Sequence, residues 1–522
     1  MSLVRAVVVG LVLVRVASGQ TSRLGTIDFP NSGAAAAQAP FIRGMLLLHS
    51  FEYGPAAAAF QEAERIDPGF ALAYWGEALT YTHPVWDQQD ANAGRAALQR
   101  LGSTTTVRRA RAPTARERAY LDAVETLYGD GTKAARDTAY SLAMGRLVAR
   151  FPADRDAKVF YAASLLGLNQ GERDTATYLR AAAILEGVFR EAPGHPGAAH
   201  LLIHCYDDPA HARLGLPAAR AYAAIAPDAP HAHHMTTHIF LALGMWDEVV
   251  SQNEIAAGPE RIAWTPSHYT YWLGYGYLQQ GRYGAALQHL DLVHRNMERG
   301  RGNVPAVLTE MCGDYVVTTE RWDSPCLAWG IDLSGMRTRD KALGAFLNGY
   351  SAMKRGDRAD AERQRAAIVA LVPPLPKSLP RAERGGEGDR GRGPKGDPVP
   401  YILQLELRGL LQQADGKVTD AVTSLRQAAA LEDDMPFEFG PPVTVKPSHE
   451  LLGEVLLQAG RPREAEVEFT RALRLAPRRT RSLIGLARAA TTAGDRATAA
   501  RTTADLKSIW HSADPDVLAT AR

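Results

Sequence analysis

Apolar positions along this chain follow a helical period almost throughout. From Ser448 on, Leu452, Gly453 and Leu456 mark the buried stripe of one helix. Ala465, Phe469 and Ala472 mark that of a second, which Pro477 stops. The same offsets return along the chain. Gly44, Leu47, Ala56, Phe60, Ala63 and Pro68 form one unit, and Tyr74, Ala78 and Tyr81 open the next. Ala181, Leu185, Val188 and Pro193 mark a second helix, and Leu273, Gly274, Tyr277, Ala286, Leu290 and Val293 a further unit. Gly349, Ala361 and Ile368 give a weaker unit, and Gly409, Ala421, Leu425 and Ala428 a good one. Leu483, Leu486, Ala487 and Ala499 close the series. Turn signals separate the paired helices at Gly54-Pro55, Gly244-Met245-Trp246, Gly281-Arg282, Gly356-Asp357, Gly416, Gly460-Arg461-Pro462 and Gly494-Asp495. The pattern is degenerate near 100–155 and 300–340.

These offsets resemble the tetratricopeptide repeat (TPR), a helix–turn–helix unit of about 34 residues. The resemblance implies an all-α superhelical solenoid whose first helices line a concave groove. It places TPR-like repeats over 37–371 and 401–522. Residues 372–400 combine Pro, Gly and charge without an apolar period and read as a disordered loop. Residues 433–447, with PFEFGPPVTVKP, read as a long connection whose Phe437 and Phe439 tuck against the solenoid. The segment FEFGPP…KPSHELLGE together with the His-rich helices resembles a group of exported bacterial TPR proteins.

The N-terminus departs from the period. Arg5 precedes the apolar run Ala6–Val14, and small residues lead to Gly19. Residues 1–19 are expected to be a signal peptide and 20–36 a linker, giving an exported, periplasmic or extracellular protein. The alternative is an uncleaved anchor, because Arg15 interrupts the cleavage region. No later stretch is long and apolar enough to span a bilayer. The chain has 522 residues, with 59 basic side chains against 57 acidic ones, so no basic excess supports a nucleic-acid partner. Its 46% hydrophobic and 22% charged content is that of a globular protein. Cys205, Cys312 and Cys326 cannot form a disulfide framework, and at least one stays unpaired.

Histidine is where the sequence becomes specific. Eight of the 15 His fall between His195 and His238. His200 and His204 stand four apart, as do His234 and His238, so each pair shares one helix face. In the repeat register both pairs take the fifth and ninth positions of a first helix, which in TPR proteins face the groove. Four imidazoles are thus expected to meet across neighbouring helices, with Asp208 one turn beyond His204. Such a set suits one transition-metal ion, Zn, Cu, Fe or Mn. His195 and His231, each beside a proline, read as turn and cap residues, His211 as solvated, and Cys205 as core. His49, Trp75, His83, His268, Tyr271, Tyr275, Glu450 and Glu454 fall on the same groove face and are expected to bind ligand. A superhelix would bring them toward one another from opposite walls.

No HExxH, nucleophile elbow or phosphate loop is present. The first functional reading is an exported TPR scaffold whose His-rich groove binds a protein, peptide or small ligand. The alternative is a metal-dependent enzyme or metal-binding protein with the ion held by the His pairs. A third reading has the imidazoles as a pH-dependent anion site.

Overall fold

The computed structural model describes residues 23–168, 173–262, 267–299, 303–374 and 397–520. The signal-peptide reading and most of the loop reading lie outside them. Among the described residues, 25 α-helices make up nearly all regular structure. The β pairing among them is one short hairpin, Thr82–His83 with Gln88–Gln89. The chain is an all-α, TPR-like helical-repeat solenoid.

The repeat is built around an aromatic ring held between glycines. Phe60 lies on helix Tyr53–Ile66, and a Cβ at Gly44 or Gly76 would meet its ring at 2.8 Å or 2.4 Å. Phe469 repeats the arrangement on helix Pro462–Leu475, where Cβ atoms at Gly453 and Gly485 would come within 2.9 Å and 2.2 Å. Each ring therefore fills the space between its own first helix and the next repeat's. That packing is why the Gly–Phe spacing recurs in the sequence.

Most repeat turns end their first helix in one way. Gly244, Gly281, Gly356, Gly416, Gly460 and Gly494 all have positive φ. In each, the following N–H reaches back to a carbonyl five residues earlier, as with Met245 to Phe240 and Arg461 to Leu456. The first repeat makes the same turn at Phe51, with φ 53° and the Glu52 N–H on the Leu47 carbonyl. The turn expected at Gly54-Pro55 therefore lies earlier. Those two residues sit in the first turn of helix Tyr53–Ile66, where a proline is tolerated.

The solenoid closes on itself. The Thr480 N–H donates to Gln279 Oε1 at 2.9 Å, and Trp510 Nε1 donates to the Gln279 carbonyl at 3.1 Å. Trp246 Nε1 donates to the Arg478 carbonyl at 3.1 Å. The last repeats thus pack on the middle of the array. At the other end, the segment expected to be a linker is pinned, with Leu24 and Phe29 buried and the Thr26 N–H on the Gly194 carbonyl. Helix Val399–Ala414 begins inside the stretch read as loop, and an Arg339–Asp397 ion pair anchors its start. Near 300–340, helix Val304–Thr319 is followed by a 3₁₀ turn, Pro325–Ala328, and a Cys312–Cys326 disulfide in place of a second helix. Cys205 is free and buried, as its helix face implies.

Candidate metal centre

Two neighbouring helices carry the site, Pro196–Tyr206 and Pro230–Ala242. The first is buried along its whole length, and in the second every residue after Pro230 is buried. Their inward rings form two sets. Ring nitrogens of His200, His204 and His231 all lie within 4.8 Å of one another, and so do those of His234, His238 and His268.

In the first set, His204 Nε2 and His231 Nε2 each stand 3.2 Å from His200 Nε2. His200 Nδ1 donates to the His49 carbonyl at 2.7 Å, which leaves Nε2 of the neutral ring bare and facing its neighbours. His231 Nδ1 meets the Tyr269 hydroxyl at 2.7 Å. In the second set, His238 Nδ1 donates to Asp207 Oδ2 at 2.6 Å and His234 Nδ1 donates to Asn253 Oδ1 at 2.9 Å. With both Nδ1 atoms so engaged, the two Nε2 atoms face each other 3.3 Å apart. Burial holds the His204, His231 and His234 imidazoles neutral, well below the ordinary histidine value, and pushes His200 down to about 3. The sets adjoin, since the His204 and His238 ring centres are 6.2 Å apart.

Aromatic side chains close the chamber. Phe51 packs 4.3 Å from the His200 ring, Trp272 4.4 Å and Phe439 5.4 Å from His238, and Tyr269 3.8 Å from His234. Phe439 comes from the connection between Asp433 and Ser448, and Gly440 beside it abuts Trp272. Phe439 thus touches the His238 ring while staying 37% exposed, and Phe437 is half-buried.

A third cluster has a different chemistry. His49 Nε2 is 2.8 Å and His195 Nε2 3.4 Å from Asp156 Oδ1. His195 Nδ1 accepts the Ala198 N–H at 3.3 Å, which turns its Nε2 toward the carboxylate. Burial raises the Asp156 carboxyl, and the two imidazoles outweigh it and hold it below its ordinary value. This cluster ties helix Pro196–Tyr206 to the N-terminal repeats, and His195 keeps the cap role read from sequence.

The structure places the remaining sequence candidates as follows. Asp208 leaves the ring row, because helix Pro196–Tyr206 ends two residues before it. It pairs with Arg173 at 3.2 Å and His211 at 2.9 Å, and its neighbour Asp207 orients His238 instead. His211 is thus paired. His231, read as a cap, joins the first triad, because Pro230 starts the helix and turns the next ring inward. Trp75 belongs to the N-terminal core, packed on Phe29, Tyr120 and Phe160. His83 stacks on Tyr53 at 3.8 Å near the surface hairpin. Tyr271 donates to Asp314 Oδ2 at 2.9 Å. Tyr275 and Glu450 do approach from opposite walls, through Arg479, and Glu454 pairs with Lys446 at 2.6 Å. Phe51 was not singled out, although aligning the repeat turns sets it where the others have glycine.

No family model and no curated protein matches this chain. Among solved structures, the yeast Tom70 structure is 13% identical, covering 88% of this chain and 96% of that one at a TM-score of 0.37. The Cut9–Hcn1 hetero-tetramer of the APC/C is 14% identical over 89% of this chain and 78% of that one, at 0.31. Human IFIT1 bound to m7Gppp-AAAA is 13% identical over 92% and 91%, at 0.35. Among the described residues no helix is long and apolar enough to cross a membrane.

Proposed function

We propose that this helical-repeat scaffold is an exported metal-binding protein that holds one transition-metal ion at each imidazole triad of its closed interior. The observation that carries the reading is the His234–His238 pair. Both rings spend their Nδ1 protons on outward acceptors, and their two bare lone pairs converge in a buried space. A cation relieves that opposition. Asp207 and the His49 carbonyl fix the ring tautomers in the manner of outer-sphere partners of metal-bound histidine.

Three imidazoles suit Zn²⁺, Cu²⁺ or Fe²⁺ better than the oxygen-seeking Mn²⁺, and leave a coordination position open for water or substrate. That open position supports an enzymatic use, in which a bound water is activated or a substrate oxygen polarised. A peptide cannot reach these buried rings, so a protein partner would dock on the outer helices. The Cys312–Cys326 disulfide supports an oxidising, exported setting.

Metal analysis of the purified protein and Co²⁺ titration followed by absorption test the proposal. Two equivalents are expected, one lost in His231→Ala and the other in His268→Ala. One equivalent lost in both variants means a single ion shared by the facing pairs. A protein that takes up none of these ions overturns the proposal.

A further inference from the structure

Phe51 is the one bulky residue among seven equivalent turns. The other six place glycine at the left-handed position, where a side chain with a Cβ is disfavoured. Phenylalanine is disfavoured there, so its ring serves something the turn does not need. One face of that ring covers the first triad, with centres 4.3 Å from His200, 5.8 Å from His204 and 5.9 Å from His231. Trp86 stands edge-on to it at 5.3 Å and holds it from the side.

The ring also forms a wall of a second space. A cavity of about 60 Å³ lies between the N-terminal repeats and helix Pro196–Tyr206. Leu48, Leu127, Val159, Phe160 and Leu201 line it together with Phe51. Among its polar neighbours Ser164 pairs with Ser141 at 3.0 Å and Asp137 with Lys133 at 2.6 Å, whereas the buried Tyr53 hydroxyl has no hydrogen-bond partner. One water-sized sphere needs roughly 10–15 Å³ on this measure, and an apolar cavity of about 150 Å³ accepts benzene. This one therefore suits roughly two or three heavy atoms, and its lining suits an uncharged, apolar molecule. His49 belongs to both places, since its side chain lines the cavity and its carbonyl holds His200 Nδ1.

We propose that this cavity is a holding site for a small apolar molecule, of the size of a diatomic gas, and that Phe51 is the door between it and the ion at His200, His204 and His231. The route rests on the metal reading above, whereas the cavity stands without it.

Xenon serves as the probe of the cavity, read by ¹²⁹Xe NMR or by xenon-pressurised crystals. Wild-type protein should bind one xenon against Phe51 and Val159, and Ala163→Leu, which fills the cavity, should lose it while keeping helix content and melting temperature. Absence of xenon there, or equal binding in Ala163→Leu, overturns the holding site. The door is read by rapid mixing of nitric oxide with Fe²⁺-loaded protein. Phe51→Gly, which suits the turn backbone, should bind nitric oxide at least tenfold faster than wild type, and Ala163→Leu at least tenfold slower. Equal rates in all three proteins overturn the door. A protein that takes up no Fe²⁺ overturns the route to iron, uptake of none of the transition metals overturns the metal reading, and xenon then judges the cavity alone.

Discussion

Arg479 donates to the Tyr275 phenol oxygen at 3.0 Å, although 204 positions separate the two residues. Its Nε also donates to Glu450 Oε2 at 3.0 Å, and both charged side chains are wholly buried. Burial alone raises the Glu450 carboxyl, and the charges of Arg479 and Lys446 outweigh it and hold it well below its ordinary value. This bridge ties the C-terminal repeats to the middle of the array. Removing Arg479 leaves the buried Glu450 carboxylate with Lys446, which it shares with Glu454, as its remaining cation.

Arg479→Met should therefore destabilise the protein by about 3–5 kcal/mol, measured by urea unfolding. Arg479→Met combined with Glu450→Leu should be less destabilising than Arg479→Met alone, because no under-compensated buried carboxylate remains and Lys446 keeps Glu454. A single variant as stable as wild type would show that the closure does not depend on this pair.

Asp207 and Asp208 separate by function although they adjoin in sequence. Asp207→Asn should weaken metal binding about 10–100-fold, because the His238 tautomer loses its carboxylate partner. Asp208→Asn should leave binding unchanged, since Asp208 pairs with Arg173 and His211. Competition titration with a chromophoric chelator checks both, and equal effects would reject the assignment.

Asp314 supplies a pH dependence away from the triads. Burial pushes its carboxyl up to about 7, against the opposing influence of Arg479 and the Tyr271 hydroxyl. The folded state thus binds this proton more tightly than the unfolded chain does. The stability it contributes is full below the unfolded value near 4 and is lost as pH rises through 7. Asp314→Asn should match wild type near pH 4 and exceed it at pH 8 by on the order of 2–4 kcal/mol. Unfolding free energies at the two pH values provide the check, and a gain that shrinks with rising pH would refute the sign.

Much of the fold was legible because the repeat is local. Gly453 and Phe469 state in sequence what they do in space, and the helix stripes follow. The His200–His204 and His234–His238 pairs were legible for the same reason, since a helix turn sets their spacing. What sequence did not show was set by chain ends and by distance. The helix stop at Tyr206 decides that Asp207, and not Asp208, meets a ring. Pro230 decides that His231 turns inward. The closure that makes an open groove into a chamber depends on residues such as Gln279 and Thr480, which meet only after the whole superhelix has formed. Trp75 shared the groove register yet is core, because Phe29 of the N-terminal segment folds over it.

The last prediction concerns the packing that generates the repeat. A Cβ at Gly485 would stand 2.2 Å from the Phe469 ring, and that ring is wholly buried. Gly485→Ala should gain helix propensity of about 1 kcal/mol, yet the overlap forces the ring or the helices apart. Overpacking of this kind costs about 1–3 kcal/mol, so the net change should be a loss despite the better helix former. Phe469→Leu alone should also destabilise, by leaving space between the two repeats. The two together should recover stability, because the smaller side chain vacates the volume that the new methyl takes. A double-mutant cycle in urea should therefore give a favourable coupling of about 1 kcal/mol or more. Additive effects would mean that Phe469 is not what requires glycine at 485.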